Sequence, residues 1–416
     1  MTRGFSLAVG LCILAVALVM AVGAVLFAFR KANEPPALAE EPLAYHTPET
    51  GNAAADDALV PPDAELTPEQ RRELERIATL GYVSGTVAPS EESGVLRHER
   101  GRTWDGYTLH TFSLGSKAVL MDMDGTVVHE WDHPGAEYWA RARLLDGGDL
   151  LVVTSRPYRL MRLDADSRLV WLYNKTAHHD IDLLPDGNIV AIVREAVQFP
   201  HINDGVYVLE DHIVALTLDG QELDRVPLVA AFENSERYSD WFERHPFPDG
   251  VDIFHTNSIE VVERDGRVQA LLSIRAIDTI ALVDLESGLV TWAVAGEWRM
   301  QHEAMFIDGN LLFFDNLGAG KRSRVLELDV ETLDVVWEYT DDDFYSKSAG
   351  AQQRLPNGNT LITESDKGRI IEVSKDGEVL WEYVNPKTTW RGQEEVVLGI
   401  MRAERIPYDF PRDWLE

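Results

Sequence analysis

Histidines stand at the start of apolar, strand-like segments at three places in the sequence: His178 and His179, His255, and His302. Near neutral pH an imidazole can act as a nucleophile when it is neutral, or bind an anion when it is protonated. A lone histidine is more often a surface residue or a satisfied core residue. Histidines at one position of three repeated segments instead predict a shared functional pocket.

Arginines occupy the matching position at the end of the next apolar segment, at Arg156, Arg194 and Arg275. Arg275 lies inside an apolar run, where burial is costly unless the guanidinium meets an anion or a carboxylate. Arg156 and Arg194 have an alternative interpretation, as salt-bridge partners of a neighbouring repeat. Because the chain has a formal net charge of −32, a local cluster of cations predicts an anion site.

Further polar residues stand at the same two positions, with Asn257 and Gln301 beside the histidines and Asp315, Asn316 and Glu364 at the return position. Asp315 and Asn316 either hydrogen-bond a catalytic histidine or close a turn. Together with Gln301 they could orient an imidazole so that one ring nitrogen keeps its lone pair.

The elements that position these residues form an all-β repeat from residue 104 onward: an apolar strand, an Asp-Gly or Asn-Gly turn, two further strands and a closing strand with Trp. The closing tryptophans stand at 131, 171, 292, 337 and 381, and the neighbouring ones are 40, 45 and 44 residues apart. The wider gap holds two repeats. Six units of this length predict a six-bladed β-propeller.

The first repeat lacks its early strands, which predicts that a strand from 394–408 or 107–114 closes the ring. The Asp-Gly and Asn-Gly turns favour two-residue hairpins. In a propeller blade the first strand lines the central channel, and the second strand returns to the same face. The histidines and arginines are therefore expected to converge there. Four aromatic residues near these strand starts either stack an aromatic substrate or pack at the rim: Tyr138, Trp139, Phe254 and Trp298.

The amino-terminal segment differs in composition from the repeats. Residues 5–29 are uncharged and almost wholly apolar, long enough to span a bilayer, so residues 1–31 are predicted to be a transmembrane signal-anchor helix. A cleaved signal peptide and a buried helix are the alternatives. Residues 32–100 predict a flexible acidic tether with a short helix near 68–79. The propeller is predicted over 101–416.

Composition excludes several classes of function. The acidic surface argues against a general nucleic-acid binder, because it would repel the phosphate backbone. The single cysteine, Cys12, excludes an intrachain disulfide and a cysteine-based zinc site. Neither a strand–GxGxxG–helix unit nor a GxxxxGK[ST] motif occurs, so no nucleotide cofactor is expected. No metal is expected either.

The histidine motifs as a set resemble a known family. The pattern HHD with DGN, then FHTNSI with SIR, then QHE with DGN and FDN, is similar to the bacterial arylsulfotransferases that do not use nucleotide sulfate donors. The resemblance extends over roughly 104–411. It implies a periplasmic six-bladed propeller that acts on aryl sulfates and phenols without a cofactor.

The resemblance also implies roles for single residues. It makes His302 the nucleophile, which attacks sulfur, expels a phenolate and later gives the sulfuryl group to a second phenol. Arg275, a protonated His255 and His179 (or His178) are expected to hold the sulfuryl oxygens. The further substrate-binding candidates are Asn257, His178, Arg194 and Asn316.

The sequence departs from the better-studied members of this family. It has no room for a separate amino-terminal β-sandwich domain, it lacks the cysteines for a disulfide, and it has the predicted anchor and tether instead. The expected protein is a membrane-anchored sulfotransferase outside the cytoplasm. The alternative is a non-catalytic propeller that binds an anionic ligand or a protein partner, and a third interpretation is a sulfatase or a quinone-dependent dehydrogenase.

Overall fold

The computed structural model describes residues 87–89, 92–202, 207–247, 251–318, 320 and 322–415. Strands of this part form six sheets of four or five strands and one separate hairpin. The six sheets follow one another along the chain as the blades of a propeller, which confirms the predicted all-β, six-bladed fold.

The strands of the first three blades are given from the innermost to the outermost. They are β27 (Ile400–Pro407), β2 (Gly106–Phe112), β3 (Lys117–Met121) and β4 (Val127–Asp132) in blade 1; β5 (Tyr138–Leu144), β6 (Leu150–Ser155), β7 (Arg159–Leu163) and β8 (Leu169–Tyr173) in blade 2; and β9 (Ala177–Leu183), β10 (Ile189–Gln198), β11 (Tyr207–Leu216) and β12 (Glu222–Pro227) in blade 3.

The second half of the ring follows the same order. Its strands are β13 (Thr256–Arg264), β14 (Arg267–Ile274), β15 (Thr279–Asp284) and β16 (Leu289–Ala295) in blade 4; β17 (His302–Ile307), β18 (Asn310–Asp315), β19 (Arg324–Asp329) and β20 (Val335–Tyr339) in blade 5; and β21 (Ala351–Arg354), β22 (Thr360–Glu364), β23 (Arg369–Val373), β24 (Val379–Val384) and β1 (Gly94–His98) in blade 6. The hairpin consists of β25 (Thr388–Arg391) and β26 (Glu394–Val397).

Blade 1 closes the ring with strands from both ends of the repeat region. β27 pairs with β2, so the two segments that the sequence offers as alternatives are both present in one blade. Blades 6 and 1 are also joined through Trp381, whose indole N–H donates to the carbonyl of Met123 at 2.9 Å. The incomplete first repeat is thus completed by the end of the chain.

β1 adds a fifth strand to blade 6 by pairing with β24. It lies within the segment 32–100 that the sequence analysis assigns to the tether, so the end of that segment is part of the sheet. The predicted transmembrane helix and the helix near 68–79 lie outside the described residues. Among the residues that are described, no helix has both the length and the apolar character needed to cross a bilayer.

Only some of the glycine turns are two-residue hairpins. In the turns at Asp265–Gly266 and Asp308–Gly309 both central residues have positive φ, between 49° and 87°, which permits the tight hairpin that the sequence predicts. The turns over 184–188 and 355–359 span five residues. Each has a proline at its second position, whose φ is fixed near −65° and cannot reach those values.

An insertion between blades 3 and 4 contains the helices α1 (Leu228–Glu233) and α2 (Trp241–Arg244). Its apolar side chains form one buried cluster with strands of both blades. Its last residues are held against β11, because the N–H of Leu209 donates to the carbonyl of Val251 at 2.7 Å. The insertion therefore fixes the position of the residues just before β13.

A cavity of about 220 Å³ is lined by the innermost strand of every blade, as expected for the central channel. One lining residue from each of the six strands is Arg141, Asp180, Ser258, Glu303, Gln352 and Arg402.

Candidate active site

The inner strands are irregular where they bear histidines. The pairing of β9, β13 and β17 with their neighbours shifts register at or next to the histidine motifs. His179 has φ 61° and His255 has φ 49°, left-handed values that are uncommon for residues other than glycine. Such strain costs about 1–3 kcal/mol per residue and clusters at functional sites.

Hydrogen bonds at one ring nitrogen define the proton position of His302. Nδ1 lies 2.8 Å from the carbonyl oxygen of Met300 and 2.8 Å from Oδ1 of Asn316. The Asn316 amide is oriented, because its Nδ2 donates to the carbonyls of Ser346 and Ala349 at 2.8 and 2.9 Å. Both neighbours of Nδ1 are acceptors, so Nδ1 holds the proton and Nε2 keeps its lone pair.

His302 is neutral at physiological pH. Its burial, together with the nearby Arg275 guanidinium, lowers the pKa of His302 to about 3. A neutral ring with the lone pair at Nε2 is the form in which histidine acts as a nucleophile.

Of the three residues that the sequence offers to orient this ring, Asn316 makes the contact. Gln301 donates instead to the carbonyls of Ile274 and Thr279, where β14 ends and β15 begins in blade 4. Asp315 accepts hydrogen bonds from three groups that hold the backbone after β18 in place. These are the N–H groups of Arg299 and Gly318 and the Nε of Arg324.

His255 lies between a carboxylate and a cation. Its Nδ1 is 2.5 Å from Oδ2 of Asp252, and its Nε2 is 3.0 Å from Nη1 of Arg275. A guanidinium only donates, so Nε2 accepts and the ring is neutral in this structure. Burial lowers the pKa of His255, Asp252 opposes this, and Arg275 lowers the pKa further. The sequence analysis expects a protonated His255 that holds sulfuryl oxygens, whereas in this structure its Nε2 accepts from Arg275.

The structure separates the roles of His178 and His179. His178 is fully buried, with Nε2 at 3.1 Å from Asp211 and Nδ1 at 2.6 Å from Nδ1 of His179. The ring of His179 packs against that of His255, with centroids 4.8 Å apart. Burial and Arg194 lower the pKa of His178 to about 4. Burial, together with His255, holds that of His179 well below its usual value.

Two carboxylates that sequence reasoning missed compensate the cation of Arg194. Arg194 is buried at 2% exposure and lies 3.6 Å from Asp211 and 3.6 Å from Asp252. Burial alone would raise the pKa of Asp252, but the charge of Arg194 and the hydrogen bond from His255 hold it far below the ordinary value. The only sequence signal for Asp211 is its position within the apolar segment of β11.

Three other candidates do not join this cluster. Asn257 donates its side-chain amide to the carbonyl of Gln301 at 2.7 Å, and so braces the start of β17. Arg156 forms an ion pair with Glu137 at 2.8 Å. The fully buried Glu364 forms ion pairs with Lys367 at 2.8 Å and Arg369 at 3.2 Å, beside β22.

The four aromatic residues named from sequence are core residues. Tyr138, Trp139, Phe254 and Trp298 are all at most 4% exposed, so they cannot stack a substrate. Tyr158 is partly exposed and was not predicted. Its ring centroid lies 5.9 Å from the guanidinium carbon of Arg194 and 6.5 Å from the His178 ring.

Charged side chains also line the channel next to the histidines. Arg141 lies 3.1 Å from Asp180 and 3.3 Å from Glu404, while Arg402 pairs with Asp180 and with Glu303. Burial raises the pKa of Glu303 to about 7, although Arg402 opposes this. Within the described ranges, no three His, Cys, Asp or Glu side chains are arranged to hold a metal ion.

The comparison with protein families decides the assignment. The model of the family described as arylsulfotransferase (ASST) matches residues 141–386, more than half of the chain. The chain belongs to the arylsulfotransferase family. The matched range includes all the residues that form the histidine cluster. No curated protein matches the chain.

Several solved structures are similar to the chain at low sequence identity. A protein of unknown function from Bacteroides caccae is 15% identical with a TM-score of 0.48, covering 72% of this chain and 99% of its own. A streptogramin B lyase is 14% identical with a TM-score of 0.43, covering 78% and 96%. The WD40 β-propeller domain of Doa1 is 11% identical with a TM-score of 0.42, covering 76% and 93%. Likeness at this level has no bearing on function.

Proposed function

We propose that this arylsulfotransferase transfers a sulfuryl group from an aryl sulfate to a phenol through a covalent intermediate on His302. The observation that supports this most is the pair of acceptors at Nδ1, which leaves the lone pair at Nε2. In the first half-reaction Nε2 forms an N–S bond, the S–O bond to the aryl group breaks, and the electron pair leaves with the phenolate. In the second, a phenol oxygen attacks sulfur and the N–S bond breaks.

Arg275 is the proposed stabiliser of the charge that develops on the sulfuryl oxygens. It influences both imidazoles, because it lowers the pKa of His302 and donates to Nε2 of His255. A fixed cation in a buried site stabilises such charge strongly, and the loss of one donor typically costs about 10²–10³ in rate.

His255 is the proposed acceptor of the proton from the incoming phenol. Its Nε2 is the acceptor nitrogen of the ring in this structure, and Asp252 at Nδ1 would stabilise the imidazolium that forms. When the next aryl sulfate reacts, the same proton can pass to the departing phenolate. His179 packs against this ring and is proposed to limit its rotation.

Tyr158 is the proposed aromatic contact for the substrate. It is the partly exposed aromatic residue beside Arg194 and His178. Offset or edge-to-face contacts between aromatic rings contribute about 0.5–1.5 kcal/mol each.

Intact-mass spectrometry tests the covalent step. The protein is mixed with 4-nitrophenyl sulfate and quenched, and a sulfuryl group is expected to add about 80 Da. His302→Asn should give neither the adduct nor 4-nitrophenol. His129→Asn is the matched control, because His129 lies on β4 and bonds the carbonyl of Ala165 away from the site. A wild-type chain that forms no adduct with several donors would favour the non-catalytic binding module.

Variants of the two stabilising residues separate nucleophile from stabiliser. His255→Asn and Arg275→Lys should slow transfer but still accumulate the adduct on long incubation. If His302→Asn were sulfurylated while His255→Asn was not, the two roles would be reversed.

We further propose that the propeller lies outside the cytoplasm, anchored by a helix within residues 1–31. The support is the 25-residue apolar run at 5–29 and the resemblance to periplasmic enzymes. Protease added to spheroplasts should remove the propeller, and complete protection would contradict this location.

A further inference from the structure

The outermost strands share an aromatic position. In each blade the pairing between the third and the fourth strand shifts register once. In five blades the fourth-strand residue that is paired just before this shift has an aromatic ring: His129, Trp171, Trp292, Trp337 and Trp381. Four of these rings donate a ring N–H to the carbonyl of the second residue after the third strand of the following blade. The acceptors are Ala165 for His129, Leu218 for Trp171, Lys375 for Trp337 and Met123 for Trp381, at 2.8–3.0 Å.

Blade 3 lacks the ring. Its residue at this register is Asp224, paired with Ala215 just before the shift between β11 and β12. A cavity of about 380 Å³ lies there, between blades 3 and 4 at the face opposite the histidines. Its apolar lining comes from both blades: Leu184, Val190, Ile213, Val226, Val268 and Leu285.

The turn that would receive the ring is present. Leu285 lines the cavity and stands two residues after Val283, the β15 residue that follows the register shift. The acceptors in the other blades likewise stand two residues after the residue at that register. In blade 3 the turn glycine, Gly220, packs against the indole of Trp171: a Cβ added at Gly220 would lie 2.9 Å from the nearest ring atom. The corresponding Gly288 meets Val226 instead, at 3.6 Å.

The rim of the cavity is acidic. Asp186, Asp224 and Glu286 all contribute to it. The single cation among its lining residues, Arg225, is already bound to Glu195 and Glu222. An anion such as an aryl sulfate would be repelled at this rim, whereas a neutral or cationic aromatic molecule would not.

We infer that this cavity is a binding site for a small aromatic molecule with a ring N–H or O–H group, separate from the histidine site. The ligand occupies the place of the missing indole, packs on the apolar side chains and donates to the carbonyl of Leu285. Ligand pockets typically measure about 300–1,000 Å³, which includes this volume. The inference is independent of the sulfuryl-transfer proposal.

Thermal unfolding with indole as the probe tests the site. Indole should raise the Tm of the full chain saturably, by about 1–2 °C, because it binds the folded state. Asp224→Trp should abolish the increase by filling the cavity. Leu223→Trp is the matched control, since Leu223 is exposed on the same strand and does not line the cavity. It should respond as the wild type does.

Additional variants and probes test the same site. Val268→Phe narrows the cavity from β14 and should weaken the response if Asp224→Trp does not fold. His302→Asn should retain the full response, which separates this site from the proposed chemistry. Indole-3-acetate should bind at least about fivefold more weakly than indole or tryptamine. No saturable shift in the wild type, or an equal shift in Asp224→Trp, would overturn the inference.

Discussion

The side-chain oxygen of Asn316 lies 2.8 Å from Nδ1 of His302, although His302 begins β17 and Asn316 follows the end of β18. The amide cannot reverse without losing its bonds to the carbonyls of Ser346 and Ala349. The tautomer of the proposed nucleophile is therefore set by the backbone of the next connection, through Asn316.

Asn316→Ala should lower kcat roughly 10²-fold with little change in KM, because the ring loses its orientation but the binding residues remain. His302 stays unprotonated near neutral pH, so the fold decrease in kcat should be the same at every pH between 6 and 8. Steady-state assays normalised to folded protein measure this. Asn385→Ala, which removes another buried amide bonded to the carbonyl of Leu398, is the control. Equal losses in both variants would contradict a positioning role for Asn316.

Asp252→Asn should slow the acceptor half-reaction more than Asp211→Asn does. Both changes remove a carboxylate next to Arg194, but only Asp252 contacts His255. Without its charge the imidazolium is less stable, and a loss of about 10²-fold in rate is expected. Single-turnover transfer from the sulfurylated enzyme to phenol measures it. Indistinguishable rates for the two variants would exclude His255 as the proton acceptor.

Acid should destabilise the protein through His110. This histidine is fully buried on β2, neither ring nitrogen has a hydrogen-bond partner among the described residues, and burial lowers its pKa to about 3. Between the unfolded pKa near 6.5 and this value, the unfolded chain binds a proton that the folded chain does not. Stability therefore falls as pH decreases, by about 1.4 kcal/mol per unit.

His110→Leu should remove the contribution of His110 to this pH dependence, while the buried histidines of the site keep theirs. Urea unfolding at pH 7, 6 and 5 should show the variant gaining stability relative to the wild type by about 1.4 kcal/mol for each unit of acidification below 6.5. A difference that stays constant with pH would show that His110 is protonated without cost in the folded state.

A fragment starting at residue 92 should fold without the preceding segment. It retains β1, whose Val95 packs against the blade 6 cluster, and all six blades. Circular dichroism and a cooperative thermal transition measure this. A fragment starting at residue 104 leaves the edge of β24 unpaired and should melt at a lower temperature. If the longer fragment were insoluble while the full chain in detergent was ordered, the preceding segment would belong to the fold.

Much of the fold could be predicted because the tryptophans and glycine turns recur at a period that few architectures share. β1 escaped prediction because its sequence, GVLRH, is short and has no turn signal of its own. The first-strand positions correctly placed His179, His255 and His302 in one region. That inference needed only the alternation of strand direction within a blade.

The polar partners of the site could not be predicted in the same way. Asp252 lies in the insertion and Asp211 on a third strand, so neither shares the repeat position of the histidines. Their roles depend on the packing of separate segments. The contact between the Arg275 guanidinium and Nε2 of His255 could not be predicted for a related reason, since nothing in the sequence shows that the two groups meet.

The order in which blade 1 is assembled has a consequence for synthesis. Its innermost strand, Ile400–Pro407, follows all the other strands of the described part of the chain, and it pairs with one of the first, Gly106–Phe112. In a nascent chain β2 can pair with β3, but its inner edge stays unpaired until Ile400–Pro407 has been synthesised. Premature stop codons that remove only this last strand should leave an open ring with exposed apolar edges, which proteases degrade. The stability of the whole ring therefore depends on the synthesis of this one strand.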